Sequence, residues 1–256
     1  MDIHGARILL TGASGGLGRA IAQELARRGA DLVLTARSAS LLEDLAARTG
    51  GEVRVADLAD RSDVEELCAT LGEIDVLIAN AGVGGNGSVL ESAVDSIDRV
   101  LEVNLRAPMV LSAEFARQRI EAGRSGQVVM VGSLSGVVAT ANSSLYNGTK
   151  FGLRGYSLAI RQDLEPHGIG VSLVVPGFID SEGMFADNGI ELPAFVRTRS
   201  PSDVAAGVVR AIRSNPAEVY VSPPELRLTA TLGGLAPGIS EALQRRLGVA
   251  DMSAER

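Results

Sequence analysis

The chain has 256 residues, 46% hydrophobic and 21% charged, enough to bury a sizeable core and better suited to one large α/β domain than to two small ones. Lys and Arg total 24 against 31 Asp and Glu, and the net charge of -7 argues against a nucleic-acid surface as the main partner. One cysteine, Cys68, excludes an internal disulfide, and with only His4 and His167 besides there is no cluster at metal-ligand spacing, so no metal is expected.

The opening Met1-Asp2-Ile3-His4-Gly5 lacks the basic and apolar regions of a signal peptide, and no apolar run approaches a membrane span of about 18 residues. A cytoplasmic protein is expected. Short β-branched runs then alternate with longer amphipathic stretches, which predicts a parallel sheet covered by helices on both faces. Strands are predicted at Arg7 to Leu10, Asp31 to Thr35, Val53 to Ala56, Asp75 to Ala79, Val128 to Val131, Val171 to Val175 and Glu218 to Val221. Helices fall between them, at Leu17 to Arg28, Leu41 to Arg48, Ser62 to Leu71, Val94 to Ala122, Ser144 to Glu165 and Pro201 to Arg213. The last carries its own start signal, with Ser200 as cap, Pro201 at the first position and Asp203 in the first turn. Cys68 reads as a buried helix residue. From Phe178 to Arg199 the periodicity weakens, interrupted by Gly183, Gly189 and Pro193, as in a long loop or helical flap; loops of that length in compact domains are usually functional. No repeat or linker divides the chain, so residues 1–222 read as one domain and 223–256 as a partly helical extension.

Thr11-Gly12-Ala13-Ser14-Gly15-Gly16-Leu17-Gly18 follows the first strand and opens the first helix. Glycines there let the backbone approach a pyrophosphate, while the free N–H groups and positive dipole end of the helix receive its charge. The same glycines could make a tight turn with no ligand, but the strand before and the helix after supply the context of a dinucleotide site. About 20 residues on, where a carboxylate would grip the ribose hydroxyls of NAD(H), stand Ala36, Arg37 and Ser38. A guanidinium reverses the local field and matches phosphate oxygens in a forked geometry, so the pattern favours NADP(H) over NAD(H); a solvated charge at a strand end is the plain alternative.

Ser133, Tyr146 and Lys150 form the second constellation. Tyr146 and Lys150 are four residues apart, on one face of a helix. The Lys150 ammonium is expected to favour the phenolate of Tyr146, whose ordinary pKa of about 10 is too high for a proton shuttle near neutrality. Val128 to Ser133 reads as an apolar strand ending in small residues, which puts the Ser133 hydroxyl at a strand's carboxyl end, where open α/β sheets bind ligands. Ser135 faces the opposite side if that strand continues, and Tyr156 and Tyr220 read as structural. Each residue has a plain reading of its own: a Tyr packs its ring, a Lys is a solvated neighbour, a Ser ends a strand, a helical Asn such as Asn104 bonds local backbone. Their joint occurrence beside a phosphate-binding turn points to chemistry.

With these motifs in this order, the sequence from Gly5 to about Val221 resembles the short-chain dehydrogenase/reductase family. Thr11, Gly12, Gly16 and Gly18 match its Thr-Gly-x-x-x-Gly-x-Gly pattern, with Ser14, Gly15 and Leu17 inside the same turn, and Asn80, Ala81 and Gly82 match its Asn-Ala-Gly element. The resemblance implies a Rossmann-type doubly wound sheet of about seven strands. It implies that Asp57, with Leu58 beside it, contacts the adenine. Asn104 matches the family's helical Asn that holds a water in a proton relay, and Ser133, Tyr146 and Lys150 match its catalytic Ser and Tyr-x-x-x-Lys. Pro176-Gly177-Phe178-Ile179-Asp180-Ser181 looks like the segment beside the nicotinamide, with Ser181 where the family often has Thr. Asn147-Gly148-Thr149 departs from the family's usual small choices between Tyr and Lys. The implied reaction is reversible hydride transfer between nicotinamide and a carbonyl carbon, with Tyr146 as acid/base, Ser133 bonding the developing alkoxide and Lys150 binding the nicotinamide ribose.

The flap offers Ile179, Met184, Phe185, Ile190, Leu192, Phe195 and Val196, and Leu134, Val138 and Ala139 follow the catalytic serine, so a lipophilic ketone, aldehyde or alcohol is the expected partner. Arg197 and Arg199 could instead bind a carboxylate or phosphate, or face solvent. The tail, with Leu226, Leu228, Leu232, Leu235, Ile239, Leu243 and Leu247, is too apolar for a disordered one and could cover the pocket, join subunits or touch a membrane surface. The long helices Val94 to Ala122 and Ser144 to Glu165 resemble the pair the family uses for oligomer contacts, implying a homodimer or homotetramer. Two other functions remain open: a redox-sensing protein that binds NADP(H) without turnover, and an epimerase or dehydratase using the cofactor transiently.

Overall fold

A computed structural model of the chain describes residues 1–85, 87–180 and 197–246, apart from the side chain of Leu243. Seven strands, β1 (Arg7–Thr11), β2 (Asp31–Ala36), β3 (Glu52–Val55), β4 (Val76–Ala79), β5 (Gly126–Val131), β6 (Ile169–Pro176) and β7 (Glu218–Val221), form one sheet in the order β3-β2-β1-β4-β5-β6-β7. Every pairing is parallel. The central strands are continuous apolar runs because both their faces are covered. The apolar core therefore has two halves. On one face α1 (Gly16–Arg27), α2 (Ala39–Thr49) and α7 (Pro201–Ser214) bury Ile21, Leu25, Leu42, Val204, Val208 and Ile212. On the other, α3 (Arg61–Cys68), α5 (Ala107–Glu121) and α6 (Ser144–Leu164) bury Val64, Leu67, Leu111, Phe115 and Leu153.

The predicted helix from Val94 to Ala122 is divided. It comprises α4 (Val94–Leu101), a π-turn over Glu102–Arg106 that holds Asn104, and α5. Such single π-turns arise from one residue too many in the helical register and often mark functional sites. The start signal of α7 is a complete capping box: Asp203 N–H donates to the Ser200 hydroxyl at 3.2 Å and Ser200 N–H to the Asp203 carboxylate at 2.9 Å. Cys68 is the last residue of α3 and is half-buried rather than buried.

The tail folds as α8 (Pro224–Leu235) and α9 (Pro237–Arg246). These helices pack over the loop that follows β5, where a Cβ at Gly233 would meet Val138 Cγ2 at 3.0 Å and Gln244 Nε2 donates to the Ala139 carbonyl at 3.0 Å. Leu228, Leu232, Leu235 and Ile239 stay exposed. Among the described residues no helix is long and apolar enough to cross a membrane. Ser181, the flap residues Met184, Phe185, Ile190, Leu192, Phe195 and Val196, and Leu247 of the tail lie outside the described residues.

Candidate active site

After β1 the chain runs outward to β2 and β3, then returns to place β4 on the other side of β1. That reversal leaves a crevice beyond the carboxyl ends of the strands, the usual ligand position in an open α/β sheet. Here it measures about 550 Å³. Gly12, Ser14, Gly15, Gly16, Leu17, Gly18, Arg37, Ser38, Asp57, Leu58, Asn80, Ala81, Gly82, Tyr146 and Lys150 all line it, so most of the residues singled out from sequence meet in one place.

The glycine turn is built for close approach. Gly12 has φ of 64°, and a Cβ there would sit 2.7 Å from Ala81 Cα; at Gly18 it would sit 2.1 Å from the Gly12 carbonyl oxygen. The N-cap of α1 is Gly15, with no side-chain cap and no acidic residue in the first turn, which leaves the helix N–H donors for an anion. Opposite, the Thr11 hydroxyl accepts from Asn80 N–H at 3.0 Å and Ala81 N–H at 3.1 Å, while Asn80 Nδ2 donates to the Thr11 and Gly12 carbonyls at 3.0 and 3.2 Å. The ends of β1 and β4 are thereby fixed to each other. Asn80 Oδ1 is buried and has no hydrogen-bond donor among the described residues. A glycine cradle, uncapped helix donors and an orphaned acceptor fit a dinucleotide phosphate and ribose. Arg37 is exposed at the far end, with no hydrogen bond or ion pair among the described residues, and Ser38 caps α2 by accepting from Leu41 N–H at 3.5 Å.

At the near end, Lys150 Nζ donates to the Val131 carbonyl at 3.0 Å and lies 5.6 Å from the centre of the Tyr146 ring. Tyr146 is 8% exposed and Lys150 4%. The expected lowering of the Tyr146 pKa by Lys150 is not found in the protein alone. Burial pushes the phenol up to about 12, held back by a hydrogen bond from Ser133, and burial also drives the Lys150 ammonium down to about 8. Desolvation disfavours the charged form of each, and it outweighs their attraction at this separation.

Ser133 is not in the crevice wall; its oxygen accepts from Ser135 N–H at 3.1 Å. β5 ends at Val131 and a 3₁₀ turn over Leu134–Gly136 follows, so Ser135 does not sit on a continued strand. The Asn104 side chain is fully buried and its bonds are internal: Oδ1 accepts from Val83 N–H at 2.8 Å, while Nδ2 donates to the Val83 carbonyl at 2.9 Å and the Thr149 hydroxyl at 3.3 Å. Both amide hydrogens are committed, so a water near Asn104 would have to use the backbone of the π-turn or the free lone pair of Oδ1.

Pro176, Gly177 and Ile179 are not in the crevice wall: Pro176 ends β6, Gly177 N–H donates to the Val221 carbonyl at 2.9 Å, and Ile179 bridges to Arg199. Arg197, weighed as an anion ligand, pairs with Glu225 at 2.6 Å. Tyr156 donates to the Met109 carbonyl at 3.1 Å and Tyr220 stacks under Arg227, both as structural residues. The sequence reading missed Thr35, Ala56, Val131 and Gly132, which line the crevice at or just beyond strand carboxyl ends and are found by that rule alone. It also missed Arg99, whose Nη2 lies 3.7 Å from Asp57 Oδ2 and which no motif marks.

Comparison with known proteins agrees with this geometry. Residues 6–189 match the family model described as short chain dehydrogenase. A ketoacyl reductase, HetN, of Nostoc is 33% identical over 99% of this chain and 93% of its own length. Among solved structures, a short-chain dehydrogenase from Sphingobium yanoikuyae in complex with NADPH superposes with a TM-score of 0.78 at 29% identity, covering 92% of this chain and 95% of the other. A bulky-bulky ketone specific alcohol dehydrogenase from Comamonas testosteroni gives 0.75 at 27% identity, covering 96% and 94%. The glycine turn, the crevice at the β1/β4 reversal and this run of relatives make the chain a member of the short-chain dehydrogenase/reductase family, an NAD(P)-dependent oxidoreductase.

Proposed function

We propose that the chain interconverts a carbonyl and a primary or secondary alcohol on a lipophilic small molecule, with NADP(H) preferred over NAD(H) and Tyr146 as acid/base. The observation that carries the reading is one crevice lined by Arg37, which has no hydrogen bond or ion pair among the described residues, at one end and by Tyr146 and Lys150 at the other. A bound nicotinamide cofactor supplies or accepts the hydride. Tyr146, kept protonated by its surroundings, donates a proton to the carbonyl oxygen in reduction, and Ser133 donates a hydrogen bond to the same oxygen as charge develops. Lys150 and Asn80 would hold the nicotinamide ribose, the glycine turn the pyrophosphate, and Asp57 and Leu58 the adenine, while the segment Pro176, Gly177 and Ile179 would serve the nicotinamide end. Asn104 serves reprotonation of Tyr146 by holding the Asn80–Val83 loop and the π-turn together.

Support for an apolar substrate comes from relatives named for ketoacyl and bulky ketone substrates. Support for NADP(H) comes from Arg37 and from the relative solved with NADPH. The protein is proposed to act in the cytoplasm as a homo-oligomer, with a groove of about 330 Å³ between α5 and α6, lined by Ala116, Ile120 and Ile160, in the contact. A screen of carbonyls and alcohols with both cofactors, followed at the nicotinamide band, tests the activity. Substrate conversion without net change in that band would mark an epimerase or dehydratase; binding without any turnover would mark a sensor. Arg37→Asp should lower the NADPH-over-NADH ratio of kcat/KM by about 10- to 100-fold, the worth of a charge-assisted pair. An unchanged ratio counts against the phosphate contact.

A further inference from the structure

The segment Ser133–Thr140 joins the end of β5 to the approach of α6 and has only one 3₁₀ turn of regular structure, so its backbone groups need outside partners. Asn147, the residue after Tyr146, provides them. Its side chain is 5% exposed; Nδ2 donates to the Ser135 carbonyl at 2.8 Å and the Val138 carbonyl at 3.2 Å, and Oδ1 accepts from Thr140 N–H at 3.2 Å and the Thr140 hydroxyl at 3.5 Å. Both hydrogens and the oxygen of one amide are thus spent on a single loop. Serine or alanine at this position could not reach across it.

The bonds form a path to the proposed chemistry. Asn147 holds the carbonyl of Ser135, and the N–H of the same residue, one peptide back, donates to the Ser133 oxygen at 3.1 Å. That bond takes one lone pair of the Ser133 oxygen and leaves its hydrogen for the Tyr146 phenol, whose pKa Ser133 holds back. Close packing leaves little slack: a Cβ on Gly136 would lie 2.5 Å from the Lys150 carbonyl oxygen, and on the far side one on Gly234 would lie 2.4 Å from the Val137 carbonyl oxygen. We propose that Asn147 is a positioning residue, locking the Ser133–Thr140 segment to the helix that carries Tyr146 and Lys150 so that the Ser133 hydroxyl stays aligned with the Tyr146 oxygen. This deepens the catalytic reading and rests on its assignment of Ser133 and Tyr146.

A double-mutant cycle with Asn147→Ala and Ser133→Ala tests it in the full chain. Asn147→Ala should lower kcat about tenfold or more, in the range of a lost donor to a developing oxyanion, and leave the NADPH dissociation constant within about twofold. In the Ser133→Ala background it should cost less than about twofold further, because the group it positions has gone. Losses that multiply, or a wild-type kcat with only a lower Tm, would overturn the proposal. A second readout needs no turnover: with carbon-13 at tyrosine Cζ, assigned by Tyr→Phe variants, Asn147→Ala should move the Tyr146 signal to where Ser133→Ala moves it. An unmoved signal also overturns it, even should no carbonyl prove to be a substrate. If Asn147→Ala does not fold, Asn147→Ser carries the same expectations with less cavity.

Discussion

The placing of Tyr146 and Lys150 on one helix face was legible in the sequence; their protonation was not. Tyr146 and Lys150 lie one helical turn apart as their numbers require, yet pKa depends on how much water each has lost, and burial is a tertiary quantity. Both end up buried, so the phenol rises to about 12 and the ammonium falls to about 8. A phenol so held is a proton donor throughout the neutral range, the role that carbonyl reduction asks of it. Tyr146→Phe keeps the ring and its packing and removes only the proton. It should lower kcat by about two to four orders of magnitude while NADPH binding persists; stopped-flow turnover beside a binding titration checks this, and an unaltered kcat would reject the acid/base role. Arg99 shows the opposite limit. It reaches the crevice from α4 through the tertiary placement of that helix, which is written in no local pattern.

Elements were legible where a local signal fixed them and blurred where tertiary packing did. The Ser200-Pro201-Ser202-Asp203 start of α7 is a complete signal in four residues, and both reciprocal bonds of the box are made. β5 begins two residues before the expected Val128 because Gly126 and Gln127 pair with Ile169 and Gly170 of β6; a glycine, here under the Phe115 ring, has no apolar side chain to announce a strand. The break between α4 and α5 was invisible because one surplus residue barely disturbs hydrophobic spacing. Ser200→Ala removes the cap hydroxyl and leaves the Asp203 N–H with only the Ser200 carbonyl, at 3.0 Å, at a cost of about 0.5–2 kcal/mol. For a chain of this size the midpoint should fall by about 2–4 °C per kcal/mol. Calorimetry reads the loss, and because α7 is no part of the crevice wall, NADPH affinity should stay put; a fall in affinity would mean that the α7 cap and the cofactor site are coupled.

The alternation of apolar runs and amphipathic stretches was enough to give a two-faced parallel sheet, since that pattern has few other ways to bury itself. The placing of α8 and α9 over the loop after β5 depends instead on Gly233, Gly234 and Gln244 meeting residues about a hundred positions away. One consequence of the sheet's construction belongs to the fold as a whole. Lys150 is driven into the sheet end, and its ammonium has the Val131 carbonyl as partner but no carboxylate among the described residues. Its pKa falls from 10.5 to about 8, so between those values the unfolded chain holds a proton that the native protein has released. Stability must then rise with pH over that window and carry a constant penalty below it. Above pH 10 the raised pKa of Tyr146 acts in the reverse sense, because the native phenol keeps a proton that the unfolded one loses. The clean window is therefore pH 8 to 10, where each pH unit of the gap is worth about 1.4 kcal/mol and the climb is on the order of 2 kcal/mol. Lys150→Met should abolish that climb and make the cofactor-free protein more stable than wild type at pH 7. Urea unfolding of both proteins at several pH values measures it; parallel curves would mean that the ammonium is better solvated than its burial implies.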